Sequence, residues 1–396
     1  MRDIGEGTIR RIDWQELTPI VLLLRIFNTS TGIRVLFLSL IGILWTLLAG
    51  YHINCNYNGI KVCDGGNFRQ PVYIEPLLDL QHPSQPISFR EHPVNYSWQL
   101  VQHSVLVPWD IFSMAGIRLF SSPAGNSIFA LTGWFFALLL IWSFFGGMIC
   151  RTVALRLTID QSESGQELWQ FIKQRGTGFL SSVMIIVLGI LFLLIFLKLC
   201  GWLFTVPVFN YIMAVLFPIA LLFGFLIMLL AVGLFFGWSL LFAAVSVDGS
   251  DGFDAVSRML SYIYHRPLHY FVYWIVSGIL GVLGFVFVSF FVDGVVFITS
   301  QFGGFPVQAV IPTLGHLTLP ETYEGLGLPE RFILIWCGMV QLIKPAYTFA
   351  WFWTSSVAIY LLLRRSVDAT PLNDVYRLTP VKPRTLQKIN IDKSNS

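Results

Sequence analysis

Charge is the scarcest property of this sequence. Only 12% of its 396 residues are Asp, Glu, Lys or Arg, against about 25% in a soluble domain. Such a chain cannot cover a water-facing surface, and its 55% hydrophobic and 15% aromatic content needs an apolar surrounding. The net charge of +3 is too small to imply a nucleic-acid partner. Catalytic fingerprints are missing as well: there is no Walker A loop, HExxH, GxSxG or dinucleotide glycine pattern. Neither end carries a lipidation motif. The first apolar run begins about thirty residues in, too late for a signal peptide, and no small-x-small site follows Ala49 and Gly50, so it reads as an uncleaved anchor.

Long apolar runs are present instead. Runs of 18 or more such residues are candidates to cross a bilayer, and six are found, at 33–50, 127–150, 179–200, 213–246, 270–298 and 333–363. The expected fold is an all-α membrane protein with six transmembrane helices. Around the spans lie an N-terminal interfacial segment (1–32), an outer loop (51–126) and an amphipathic helix (151–178). A second polar helix (247–269), a Gly/Pro-rich outer loop (299–332) and a basic tail (364–396) complete the chain. The fourth, fifth and sixth runs exceed the ~20 residues a bilayer needs, so they tilt, kink or protrude into the interface, with Pro218 and Pro345 as candidate kinks.

Basic residues set the orientation. With the N-terminus inside, eighteen Lys and Arg fall on cytoplasmic segments, among them Arg10, Arg11, Arg151, Arg258, Arg364 and Arg365, and six on the outer side. That asymmetry is the positive-inside pattern. It places both termini in the cytoplasm and the chain in a cytoplasmic (inner) membrane. Each outward span follows a cytoplasmic segment of interfacial character, at 13–30, 154–175 and 250–266. The latter two each open with Asp, Ser and Gly and close on Arg before the next apolar run. The layout predicts a helix-plus-two-spans unit used three times in parallel orientation.

The outer loop divides in two. Its first half is punctuated by Pro and Gly and predicts turns. Its second half, NYSWQLVQHSVLVPWDIFSMAGIRLF, predicts helices lying on the outer leaflet, anchored by Trp98 and Trp109. Cys55 and Cys63 lie in this loop; an oxidising outer compartment would join them as a disulfide, and otherwise they are free thiols. His52, His82, His92 and His103 share the loop but lack the close spacing of a zinc site. No metal and no cofactor is therefore expected.

Asp248, Asp251 and Asp254 recur every third residue and read as helix-capping carboxylates, with Ser250 or Asp251 as the cap. Gly278, Gly281 and Gly284, with the Gly233/Gly237 pair, predict close helix approach, inside the molecule or in a homo-oligomer. Asp293 and Lys344 fall near the outer boundary of a ~30 Å core. There they either form an ion pair or snorkel independently. No other ionisable residue is expected deep in a span, which argues against a proton-coupled pump.

DGFDAVSR is similar to the opening of the CDP-alcohol phosphotransferase signature, but Val256 stands where that signature has Arg and the downstream Gly and Asp residues are missing. Two longer strings, DGFDAVSRMLSYIYHRPLHYFVYW (251–274) and SSVAIYLLLRRSVDATPLNDVY (355–376), resemble a family of large integral membrane proteins known mainly from planctomycete bacteria. The likeness covers roughly 150–376. It implies a polytopic fold in a bacterial inner membrane and carries over no catalytic residue. Within these strings Tyr262, His265, Arg266, His269 and Tyr270 surround an Arg-Pro turn. They form either a docking surface for a partner or lipid headgroups, or simply the hinge that aims the fifth span.

The expected function is a non-enzymatic scaffold, assembly factor or subunit of a membrane or envelope complex. Its partners would be the lipid bilayer and other membrane or envelope proteins. The alternatives are a channel or transporter component, suggested by the Pro/Gly-interrupted fourth span, and a membrane-embedded enzyme acting on lipid.

Overall fold

Away from water every backbone N–H and C=O must be satisfied within its own segment, which drives apolar runs into helices. The computed structural model describes residues 21–57, 104–121, 126–207, 209–303 and 327–377, and every regular element among them is an α-helix. The elements are α1 (Val21–Ser30), α2 (Ile33–Tyr57), α3 (Val107–Ser121), α4 (Asn126–Thr158) and α5 (Gly165–Phe204). They continue with α6 (Phe209–Asp248), α7 (Gly252–His265), α8 (Pro267–Gly303), α9 (Leu328–Gln341) and α10 (Ile343–Asp368). Six stretches are long and apolar enough to cross a membrane: one each in α2, α4, α5, α6 and α8, and one through α9 and α10 together.

The helix at the centre is the least apolar of the six. Every residue of α10 from Lys344 to Arg364 is buried, Trp, Tyr, Ser and Thr included. Helices α1, α2, α4, α6 and α8 surround it. Trp142 of α4 stacks on Phe349 at 4.4 Å and lies 5.9 Å from Trp353. On the other flank Ser277 Oγ of α8 donates to Ser355 Oγ at 2.7 Å. The most apolar helix, α6, differs along its length: its window of highest hydropathy has no buried residue, while Gly237 to Val247 are enclosed. Hydrocarbon is as good a neighbour for Leu as a protein core, so interior positions go to side chains that pack or hydrogen-bond specifically.

Helices α5 and α6, 40 residues each, are about 60 Å long at 1.5 Å per residue. They form a hairpin that stays paired to its far end, where Phe196 meets Phe223 at 4.8 Å. The first turns of α5 are amphipathic, burying Leu168, Phe171 and Ile172. A capping box starts the helix: Ser164 Oγ accepts from Glu167 N at 3.3 Å, and the Glu167 carboxylate accepts from Ser164 N at 2.7 Å. Helix α7 opens in a related way, with Asp251 as cap, Gly252 as first residue and Asp254 in the first turn. The two then diverge. Helix α5 runs through Arg175 into its span, whereas α7 stops at His265 because Pro267 disfavours the α conformation at Arg266, which sits at φ −135°, ψ 55°.

Four expectations change. Residues 151–178 are not one helix: 151–158 complete α4, a short connection follows, and α5 begins at Gly165. The described part of the second half of the outer loop, from residue 104, does not lie on a surface, because α3 packs into the bundle. Trp109 meets Phe235 at 4.5 Å and donates from Nε1 to its carbonyl at 3.3 Å. Phe112 reaches Trp238, Trp142 and Trp353 at 4.4, 6.3 and 6.4 Å. Helix α6 passes through Pro218 unbroken. The sixth run is two helices divided at Leu342, where the ring of Pro345 would crowd the carbonyl of Gln341, the last residue of α9.

Candidate functional site

The ends of α4, α6 and α10 and the start of α7 converge on one pole, where two of the three buried charged residues among those described, Arg151 and Arg364, are found. Arg151, in the last two turns of α4, is 0% exposed. Its Nε donates to Glu163 Oε1 at 3.1 Å, and its Nη1 donates to the carbonyls of Ser246 at 3.1 Å and Tyr376 at 2.8 Å. The guanidinium also lies 4.5 Å over the Phe171 ring. Glu163 is delivered by the connection between α4 and α5, and its carbonyl accepts from Arg34 of α2.

A second knot forms around Asp248, the last residue of α6. Its carboxylate accepts from Tyr360 OH, lies 3.1 Å from Arg258 Nη1 and lies 3.1 Å from Arg364 Nη1. Arg364 is itself 5% exposed and also holds Asp374, through its carbonyl at 2.7 Å and its carboxylate at 3.3 Å. Arg258 bonds Asp254 one turn earlier at 2.9 Å. Burial alone would pull the Arg258 guanidinium down, but Asp254 and Asp248 outweigh that and hold it above the ordinary range. Tyr262 OH donates to Asp368, and burial together with that bond pushes its phenol up, so it stays a neutral donor.

A strap after α10 closes the pole. Tyr376 N donates to Val247 O at 2.8 Å. Its ring lies over Gly249, where φ is +63° and any Cβ would strike the ring. Arg175 of α5 sits 5.0 Å over the same ring. One residue thus joins α4, α5 and α6. Every carboxylate of the two knots faces a guanidinium or a phenol, an arrangement that locks helix ends and leaves little chemistry free. Among the described residues no three His, Cys, Asp or Glu side chains group as metal ligands.

The sequence-predicted residues distribute as follows. Lys344 Nζ lies 2.7 Å from Asp293 Oδ1, with Lys344 buried and Asp293 more than half exposed, and Gln341 Nε2 donates to the same oxygen at 3.1 Å. Tyr262 and Tyr270 are buried, the latter with its OH on the Phe236 carbonyl. His265, Arg266 and His269 are exposed. The suggested Cys55–Cys63 bond, and His82, His92, His103 and Trp98, lie outside the described residues. Asp251 caps α7, accepting from Asp254 N at 2.9 Å, and Ser250 Oγ donates to Ala244 O at 3.1 Å instead. Gly233 and Gly237 face α7, while Gly281 and Gly284 face Trp351 and Tyr347; Gly278 has open space beside it.

Sequence reasoning treated Arg151, Asp248 and Arg364 as topology markers or caps and overlooked Tyr376. One signal was available: Asp248 ends the most apolar run, and a carboxylate there needs a partner.

The six apolar crossings and the helix-only architecture define a multi-pass, all-α integral membrane protein. Compared with protein-family models, with curated proteins and with solved structures, the chain matches none.

Proposed function

We propose that this protein is a non-enzymatic scaffold, assembly factor or subunit of a membrane or envelope complex. We place it in a bacterial inner membrane with the charged pole and both termini toward the cytoplasm, and with the planctomycete membrane family on the strings at 251–274 and 355–376. The observation that carries the functional reading is the use made of the charged pole. Its buried ionisable groups bind α2, α4, α5, α6, α7 and α10 and the strap to one another. Enzymes and proton-coupled transporters keep such groups poised for substrate or protons. On this locked base α7, Arg266 and the first turn of α8 present Ser257, His265, Arg266 and His269 outward, beside the exposed Phe253 and Leu268. The orientation is supported by the excess of Lys and Arg on this side of the spans.

The test is purification through a tag at Ser396 after gentle extraction, for the native chain and for an Arg266→Glu/His269→Glu variant. The expected result is a defined protein held in near-stoichiometric amount by the native chain and lost from the variant, with membrane insertion unchanged. A partner-free homo-oligomer that passes solutes in liposomes would overturn the scaffold reading in favour of transport.

A further inference from the structure

Between α3, α4, α5 and α6 lies a cavity of about 640 Å³, within the several-hundred-Å³ range typical of small-molecule sites. Phe112 and Gly116 of α3, Phe135 of α4, Val183 of α5, and Met228 and Phe235 of α6 define its walls. The only hydroxyl on the walls is that of Ser113, which is already committed to the Trp109 carbonyl at 2.6 Å. Besides the remaining lone pairs of Ser113 Oγ, the lining residues carry one side-chain polar atom without a partner, the Nε1–H of Trp238, so the walls are overwhelmingly apolar and poorly suited to water.

The surroundings of its open side identify what can enter. Leu194 and Met228 lie on the wall and are also 39% and 62% exposed, on helices that cross the membrane. The medium at that side is therefore the hydrocarbon of the bilayer. Apolar walls and lateral access from hydrocarbon point to one class of occupant.

We propose that the cavity is a binding site for the hydrocarbon chain of a membrane lipid, which enters sideways beside α5 and α6 and is held against Phe112 by α3. Helix α3 is the part that makes this a site rather than an ordinary lipid-facing groove. It is not a span, yet Trp109 and Phe112 pin it among the spans, and it supplies the wall opposite α5 and α6. Because the chain leaves hydrocarbon and not water, it gains no hydrophobic transfer energy; it is held by van der Waals contact with the walls and by filling space that would otherwise be empty.

Gly116 provides the test. A Cβ built there meets nothing within 4 Å, so a side chain can start from this wall residue without a clash, and Gly116→Trp is the variant that fills the cavity. The native protein and this variant are reconstituted in bilayers of phosphatidylethanolamine and phosphatidylglycerol doped with a phosphatidylcholine that carries a photoreactive diazirine midway along one acyl chain. Crosslinks are mapped by mass spectrometry. In the native protein they are expected on Phe112, Val183 and Phe235, besides ordinary ones on lipid-facing Phe217 and Phe290. In Gly116→Trp the first set is lost and the second kept. Ala231→Phe, from the α6 wall, should behave the same way and guards against one variant misfolding. The proposal is overturned if cavity crosslinks are no denser than those at Phe217 and Phe290. It is equally overturned if they persist in both variants while gel filtration shows native assembly.

Discussion

Asp248 stands at the C-terminal end of α6, where the partial charge of the helix end is negative and a carboxylate is unwelcome. It is held there by Arg364, Arg258 and Tyr360. The two cations are not equivalent. The Arg364 side chain is 6% exposed and that of Arg258 is 36% exposed. Asp248→Ala would leave Arg364 buried without its main partner, a loss of about 3–5 kcal/mol. Arg258→Ala removes a half-solvated pair and should cost below about 1 kcal/mol. Thermal unfolding in detergent is expected to separate the two clearly; equal midpoints would refute the division. Asp293 and Lys344 permit a sharper check. Asp293→Lys alone places two cations together and should destabilise, and adding Lys344→Asp should recover most of the loss. A double variant no more stable than the single would show that the 2.7 Å contact contributes nothing.

Among elements, glycines decide which helices meet. Gly237 faces Met259 and Ile263 of α7, so any side chain there collides with the buried face of that helix, while Gly278 faces open space. Gly237→Leu is expected to overpack and cost about 1–3 kcal/mol, whereas Gly278→Leu should be tolerated. Monodispersity and melting temperature of the two variants compare them directly. Helix α3 depends on its aromatic pins. Truncating Phe112 removes its contacts with Trp142, Trp238 and Trp353, a loss below the ~3–5 kcal/mol of a fully buried ring because this one is half-buried. It should loosen α3 enough that a Ser113→Cys thiol reacts faster with a membrane-permeant maleimide; an unchanged rate would mean that α3 is held by something other than those rings.

At the scale of the whole molecule, an even number of crossings returns the chain to the side it left. Reporter fusions at the N-terminus and at Ser396 are expected to give the same side of the membrane, and opposite sides would remove one of the six crossings. The strap adds a second expectation. Tyr376 joins α4, α5 and α6 through Arg151, Arg175 and Val247, so ending the chain before residue 374 should weaken the charged pole as a unit. Heating should then release α5 and α7 together, readable as protease cleavage within 159–164 at a lower temperature than in the full chain.

The six apolar runs could be read from composition because a bilayer makes a local demand: about 20 apolar residues, with every backbone group satisfied inside the segment. The caps at Ser164 and Asp251 and the breaks at Pro267 and Pro345 were equally local, settled by side chains within four residues of the event. Hydropathy could not say which run lies at the centre. In hydrocarbon an apolar face has no preference between lipid and protein, so the most apolar window of α6 holds no buried residue and the least apolar helix, α10, became the axis. Nor could periodicity distinguish a helix resting on a surface from one drawn inside, which is why α3 was legible as a helix and not as a wall of a cavity. Arg151 meets Ser246 and Tyr376 across 95 and 225 residues of chain, and pairings of that range exist only once the helices have packed.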